Sequence, residues 1–115
     1  ITFASAVARY YGARTVYAKK SRETAVEEFV EARQRVTPGI ELTYSLPADA
    51  IDPGERVLVV DDIVRSGETQ LLLLDIADQV DAEVVGAAVL VTAGRAGLDS
   101  VRETVDAPVT ALTNA

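Results

Sequence analysis

Residues Val57 to Thr69 contain the side chains of this chain that are best placed to bind a ligand. Asp61 and Asp62 directly follow four apolar residues, and Ser66-Gly67 follows the acidic pair. Carboxylates accept hydrogen bonds from sugar hydroxyls and help to fix a hydrated Mg²⁺. A small-residue turn before a helix offers free backbone N–H groups to a phosphate. The acidic pair and the turn, five residues apart, together predict a site for a sugar phosphate.

Two regular elements have to hold these side chains in place. The apolar run Val57 to Val60 suits a strand that is covered on both faces, and Glu68 to Val80 is typical of a helix. The buried side of that helix is predicted to contain Leu71, Leu72, Leu74 and Ala77. In an open parallel sheet, the turn between the two elements lies at the carboxyl ends of the strands, where ligands bind. The alternative for the same residues is a solvated turn, with Asp62 near a helix start.

The rest of the chain alternates between helical and strand patterns. Gly12 is a plausible end for the first helix, and Pro38-Gly39 marks a turn. Residues 21–37 are ambiguous, and we favour a strand over a helix for their second part. The predicted elements are a helix Thr2–Gly12, a strand Arg14–Ala18, a hairpin of Phe29–Val36 with Ile40–Leu46, a strand Val84–Thr92, a loop Ala93–Gly97, a helix Leu98–Val105 and a strand Pro108–Leu112. This order predicts an α/β fold with an open, mostly parallel sheet, helices on both faces and a β-hairpin excursion.

Composition excludes several kinds of chemistry. The 115 residues contain no Cys and no His, so Ser-His-Asp triads, Cys-His pairs, disulfides and zinc sites built on His or Cys are excluded. The net charge of −7 repels nucleic acid, and no apolar run reaches the ~18 residues of a membrane span. We expect a cytoplasmic protein. The chain has no Met, and we interpret residues 1–115 as a single domain that is truncated at its N-terminus.

The stretch from Val57 to Thr69 resembles the phosphoribosyl pyrophosphate (PRPP) signature of the type I phosphoribosyltransferases. That family has a hydrophobic strand, two acidic residues and a loop that ends in Thr/Ser-Gly-x-Thr. The matching residues here are Val57–Val60, Asp61-Asp62 and Arg65-Ser66-Gly67-Glu68-Thr69. Order, spacing and flanking elements agree together, which makes the match more specific than a short motif alone. The family also carries a mobile loop and a β-hairpin at the place of residues 21–46.

The resemblance implies roles for the acidic pair and the loop. Asp61 and Asp62 would hold the ribose hydroxyls of PRPP, with Mg²⁺ nearby, and would favour the positive charge that develops on the sugar as pyrophosphate leaves. The residues implied for the 5′-phosphate are Arg65, Ser66, Gly67, Glu68 and Thr69. Glu68 departs from the family pattern, and we expect its side chain to point away from the phosphate. For Ser66 and Thr69, the alternative is simple helix capping.

Three further basic residues receive roles from the same resemblance. Lys19, with Lys20 beside it, would face the pyrophosphate and neutralise the leaving group, although two solvated lysines at a strand end are the alternative. Arg95 lies at the position where several family members contact the nucleobase, and an ordinary loop residue is the alternative there. Arg65 stands where hypoxanthine-guanine enzymes carry an aspartate, and it cannot act as a general base because guanidinium stays protonated.

The activity implied by the resemblance is the transfer of 5-phosphoribose from PRPP to a nucleobase, with release of pyrophosphate and a requirement for Mg²⁺. Purine salvage is the first hypothesis, with an adenine-like purine ahead of hypoxanthine or guanine. A non-catalytic transcriptional regulator that senses PRPP or a nucleotide is the alternative, and Arg65 and Glu68 keep it open. A structural remnant that no longer binds PRPP is a third possibility. By analogy we expect a homodimer.

Overall fold

The computed structural model describes residues 3–19 and 28–114 of the chain. Its helices and strands are α1 (Phe3–Tyr11), β1 (Phe29–Thr37), β2 (Ile40–Pro47), β3 (Arg56–Val64), α2 (Glu68–Gln79), β4 (Glu83–Thr92), α3 (Ala96–Thr104) and β5 (Val109–Asn114). Residues 21–27 begin the segment 21–37, whose conformation was ambiguous in the sequence, and they lie outside the described residues, as does Lys20.

Strands β3, β4 and β5 form a parallel sheet in that order, with Val60 opposite Ala88 and Val89 opposite Ala111. Helix α2 connects β3 to β4, and α3 connects β4 to β5. Because such crossovers are right-handed, both helices lie on the same face of the sheet. The core on that face combines side chains from the three strands and both helices. Its buried members are Val59, Val64, Leu74, Ala87, Val89, Leu98 and Val101, and Val109 and Ala111 pack against them.

The hairpin of β1 and β2 is confirmed over the helical alternative. The two strands are antiparallel, with Ala32 opposite Tyr44, and a turn at residues 38–39 joins them. Their apolar side chains meet α2 in a second cluster, whose buried members are Ala32, Leu46, Leu72 and Ile76. Helix α2 therefore packs against both sheets, because Leu74 belongs to the first cluster.

The strand predicted at Arg14–Ala18 is wrong. Residues 13–18 form no regular element, and only Lys19 pairs, as an isolated antiparallel bridge with Ser45. The guanidinium of Arg14 donates to the carbonyl of Ala50 at 2.6 Å and to both carboxylate oxygens of Glu55 at 2.8 and 2.7 Å. These contacts hold the start of the segment against the loop before β3, which a propensity for extended backbone does not reveal.

The central strand is longer than the apolar run that predicted it. We expected Val57–Val60, followed by a loop, but β3 begins at Arg56 and continues through the acidic pair to Val64. The hydrogen-bonded ladder with β4 continues past Asp61, with Ile63 opposite Val91 and Val64 opposite Thr92. Backbone pairing does not depend on side-chain polarity, so the two acids lie inside the strand and the turn is short.

The boundaries near the C-terminus also differ from the prediction. Helix α3 begins at Ala96 instead of Leu98, and its first turn is closed by the Asp99 N–H on the Arg95 carbonyl at 2.9 Å. The predicted loop Ala93–Gly97 is therefore wrong at its last two residues. Strand β5 begins at Val109 and continues to Asn114.

The predicted fold class is confirmed, since a parallel three-stranded sheet packs with helices and a separate hairpin adjoins them. Helix α1 contacts β3, and its predicted glycine end is supported by the Ala13 N–H, which donates to the Ala8 carbonyl at 2.8 Å. Among the described residues, no helix is long and apolar enough to cross a membrane.

Candidate functional site

The two acids near the carboxyl end of β3 have different surroundings. Successive side chains of a strand point to opposite faces, and Asp61 is half-buried whereas Asp62 is exposed. One carboxylate oxygen of Asp61, Oδ1, accepts the backbone N–H of Asp62 at 2.8 Å, and the other, Oδ2, accepts Gln70 Nε2 at 2.7 Å. Gln70 lies in the first turn of α2, so Asp61 points towards that helix and Asp62 points away from it.

The surroundings of Asp61 also shift the pKa of its carboxyl group. Burial raises the pKa of the Asp61 carboxyl above its ordinary value, and the neighbouring charge of Asp62 acts in the same direction. The hydrogen bonds from the Asp62 N–H and the Gln70 amide oppose that shift in pKa. Within residues 3–19 and 28–114, no donor is hydrogen-bonded to the Asp62 carboxylate. Asp62 is therefore the acid whose lone pairs are open to a ligand.

The turn between β3 and α2 exposes backbone N–H groups at the helix start. Gly67 has φ of 88°, a left-handed conformation that favours glycine. No side chain caps α2, and the Leu71 N–H closes its first turn on the Gly67 carbonyl at 2.9 Å. The N–H groups of Glu68, Thr69 and Gln70 thus have no acceptor inside the helix. Such a terminus, with its partial positive charge, is suited to an anion.

The Glu68 side chain, which we expected to point away from the phosphate, is hydrogen-bonded within this turn. Its Oε2 accepts a hydrogen bond from the Ser66 hydroxyl at 2.5 Å. A carboxylate at the first position of a helix is stabilised by the macrodipole, and the Ser66 hydroxyl is within its reach. The anionic group of Glu68 and one hydroxyl predicted to bind phosphate are therefore already paired with each other.

A close backbone contact joins this turn to the start of α3. A Cβ atom built on Gly97 would lie 2.9 Å from the backbone nitrogen of Gly67 and 2.7 Å from the carbonyl carbon of Arg65. The Ala93 N–H also donates to the Val64 carbonyl at 2.8 Å. The loop that contains Arg95 therefore lies beside the turn after β3, and the side chains of Arg65 and Arg95 are both exposed.

Lys19 is held beside the hairpin through its backbone. Its backbone exchanges hydrogen bonds with Ser45 at 2.9 and 2.7 Å, which fixes it beside β2. Its side chain is exposed. The contacts described above connect residues 65–67 with the start of α3 and, through Gln70, the start of α2 with the acidic pair. The pyrophosphate role of Lys19, like the other site assignments, stays a prediction.

Two residues at this site were missed by the sequence analysis. Gln70 is 2% exposed and makes two contacts at the end of β3, through Asp61 and through the Ile63 carbonyl at 3.2 Å. A polar residue directly before the leucines of an amphipathic helix was the available signal. Gly97 had no comparable signal, because its close approach depends on the distance between two loops.

The carboxylates were also predicted to bind Mg²⁺. No group of three or more metal-ligating side chains occurs among the described residues. Mg²⁺ keeps several waters and is bound through one or two carboxylates together with substrate phosphates. The open carboxylate of Asp62 fits that mode, in which most of the ligands come from substrate and water.

The amino-acid sequence of this chain is similar to those of known phosphoribosyltransferases. A family model described as a phosphoribosyl transferase domain matches residues 1–109. The adenine phosphoribosyltransferase of Gluconobacter oxydans is 46% identical over 67 residues, which are 58% of this chain and 36% of that protein. The hypoxanthine/guanine phosphoribosyltransferase of Methanopyrus kandleri is 37% identical over 84 residues, which are 73% of this chain and 42% of that protein. This chain thus spans less than half the length of these relatives.

Solved structures share the fold. The crystal structure of adenine phosphoribosyltransferase from Thermoanaerobacter pseudethanolicus superposes with a TM-score of 0.83 at 19% identity, over 98% of this chain and 63% of that one. The Saccharomyces cerevisiae enzyme, crystallised with adenine and an imino-alditol bisphosphate, gives a TM-score of 0.77 at 23% identity, over 96% of this chain and 60% of that one.

Proposed function

Since the chain belongs to the phosphoribosyl transferase domain family, we propose that its protein transfers 5-phosphoribose from PRPP to a purine base. The adenine, hypoxanthine/guanine and xanthine phosphoribosyltransferases among its relatives support this activity. In the reaction, the bond between the anomeric carbon and the pyrophosphate oxygen breaks. A bond from that carbon to a ring nitrogen of the base forms, and the proton on that nitrogen is released.

The single observation that carries the proposal is the pairing of an open carboxylate with an uncapped helix start. Asp62 is exposed and accepts no hydrogen bond from the described residues, and α2 begins six residues after it, at Glu68, directly beyond the turn at residues 65–67. The N–H groups of the first turn of α2 would bind the 5′-phosphate. Asp62 would accept hydrogen bonds from the ribose hydroxyls, so the two ends of the sugar phosphate would be recognised by the end of β3 and the start of α2.

The chemistry of the proposed site follows from charge placement. As pyrophosphate leaves, positive charge develops on the sugar ring, and the carboxylates at the end of β3 stabilise it. Asp62 would also hold Mg²⁺ together with PRPP oxygens and water, and the bound ion would neutralise negative charge on the pyrophosphate. Lys19 and Lys20 would neutralise more of that charge, and Arg95 would contact the base.

The identity of the purine belongs to the same proposal. We propose adenine ahead of the oxopurines. Arg65 stands where hypoxanthine-guanine enzymes carry an aspartate, and a guanidinium cannot take a proton from a base as that aspartate could. The cytoplasmic location and the dimeric state stay predictions.

The test measures pyrophosphate release by the full-length protein with PRPP, Mg²⁺ and, one at a time, adenine, hypoxanthine, guanine and xanthine. We expect release with at least one base and loss of release in Asp62→Asn. A protein that binds PRPP and releases no pyrophosphate with any base contradicts catalysis and supports the sensing regulator. A protein that does not bind PRPP contradicts both.

A further inference from the structure

Gln70 is the buried polar side chain nearest to the acidic pair, and nothing in the family signature calls for it. Its exposed fraction is 2%. Its Nε2 lies 2.7 Å from Asp61 Oδ2 and 3.2 Å from the Ile63 carbonyl oxygen. The side chain therefore connects the first turn of α2 to the end of β3, through the Asp61 side chain and the Ile63 backbone.

The orientation of this amide is fixed by chemistry. Both neighbouring atoms, a carboxylate oxygen and a carbonyl oxygen, are acceptors only. The group that faces them must therefore be the NH₂, which supplies one proton to each. The reversed amide would place an oxygen against two oxygens inside a buried contact, which costs free energy without a compensating hydrogen bond.

These bonds restrict Asp61 at both of its oxygens. Oδ2 is held by Gln70 and Oδ1 by the Asp62 N–H. A carboxylate bonded through both oxygens keeps one rotamer, and its remaining lone pairs point in fixed directions. The same amide bonds the Ile63 carbonyl, so the backbone immediately after Asp62 is fixed by the same side chain.

We propose that the side chain of Gln70 has a positioning role in sugar recognition: it fixes Asp61 and the end of β3 so that the acidic pair meets the ribose hydroxyls, and the side chain takes no part in holding the phosphate. The proposal rests on the proposed function, because it assumes that the acidic pair binds a ribose. It differs from a purely structural role, in which Gln70 only attaches α2 to the sheet. A structural role affects phosphate and sugar binding alike, whereas a positioning role affects only the sugar.

The substitution that separates these roles is Gln70→Met, which keeps a long unbranched side chain and removes both donated protons. The probes are ribose 5-phosphate and inorganic phosphate, titrated calorimetrically into the full-length protein. We expect ribose 5-phosphate to bind about tenfold more weakly, the size of effect seen when the outer partner of a binding group is removed. We expect the affinity for inorganic phosphate to stay unchanged.

A matched control lies in the same helix. Gln79 donates its Nε2 to the Glu31 carbonyl at 2.9 Å and is exposed near the opposite end of α2. Gln79→Met removes a side-chain hydrogen bond of the same kind without approaching the acidic pair. We expect it to leave the affinities for both probes unchanged.

The outcomes distinguish the inference from the function on which it rests. Equal weakening of both probes in Gln70→Met, or no change in either, overturns the positioning role. Wild-type protein that binds ribose 5-phosphate no more tightly than phosphate overturns the proposed function, and the inference with it. If Gln70→Met does not fold, heteronuclear NMR of the wild-type protein decides. The side-chain amide signal of Gln70 is expected to shift with ribose 5-phosphate and not with phosphate, and the absence of that difference overturns the proposal.

Discussion

We expect the substitution Gly97→Ala, at the start of α3, to displace the neighbouring turn at residues 65–67, which is proposed to help bind the phosphate. The added methyl group would meet only backbone: its nearest neighbour would be the carbonyl oxygen of Arg65, and it would lie 2.7 Å from the carbonyl carbon of that residue and 2.9 Å from the Gly67 nitrogen. Ordinary carbon contacts lie near ~3.5 Å, so the Arg65 backbone and the start of α3 must separate by about 1 Å. Backbone atoms cannot swing aside as the end of a flexible side chain does.

The magnitude follows from two opposing effects. Overpacking of this kind costs about 1–3 kcal/mol, while Ala instead of Gly in a helix gains about 1 kcal/mol. We therefore expect the free energy of unfolding to fall by about 0–2 kcal/mol, which leaves the protein folded. A displacement of 1 Å at a site can cost roughly 100-fold in rate. For a displacement of this size we expect at least about tenfold weaker binding of inorganic phosphate.

Calorimetric titration of phosphate and unfolding in urea measure the two effects separately. Gly94→Ala is the matched control in the loop directly before α3, because Gly94 has φ of 82° and no atom within 4 Å of an added Cβ. It should lose about 1–2 kcal/mol of stability through backbone strain and keep its phosphate affinity. Wild-type phosphate affinity in Gly97→Ala, or an equal loss in Gly94→Ala, would refute the reasoning.

Three further predictions concern charges. Glu68→Gln should bind phosphate about fivefold more tightly, because a charge worth about 1 kcal/mol of repulsion is removed; titration at low salt measures this, and unchanged affinity would mean that Glu68 does not face the ligand. Asp62→Asn should weaken PRPP binding about 10- to 100-fold through the loss of charge-assisted hydrogen bonds, while inorganic phosphate, the control ligand, binds as before. Arg14 lowers the pKa of the Glu55 carboxyl, so the stabilisation by this pair is present above the unfolded pKa of about 4.3 and is lost as the pH falls through the lower folded value. Urea unfolding between pH 7 and pH 3 should therefore show wild type more stable than Glu55→Gln at neutral pH and the difference shrinking in acid; a constant difference would contradict it.

The order of elements around the acidic pair could be predicted because local patterns encode it. Four apolar residues before Asp61 indicate a buried strand, and the spacing of leucines after Gly67 indicates an amphipathic helix. The turn at Pro38-Gly39 likewise identified the hairpin. In each case the signal lies within a few residues of the element that it specifies.

The remainder depends on contacts between distant parts of the chain. Arg14 is 41 residues from Glu55 in the sequence. Their ion pair fixes the start of a segment that has strand propensity but forms no strand, so propensity alone predicted the wrong element. The approach of Gly97 to Gly67 and the bond from Gln70 to Asp61 also require the folded arrangement. These contacts determine how the side chains in the signature are oriented, although the signature itself is readable in sequence.

Helix α2 contributes Leu74 to the core of the parallel sheet, and Leu72 and Ile76 to the core of the hairpin. Its first turn is also the proposed binding site for the ligand phosphate. A ligand that immobilises this turn should therefore slow amide hydrogen exchange in both sheets, including hairpin strands that do not touch it. The helix would thereby couple ligand occupancy to the opening free energy of the hairpin.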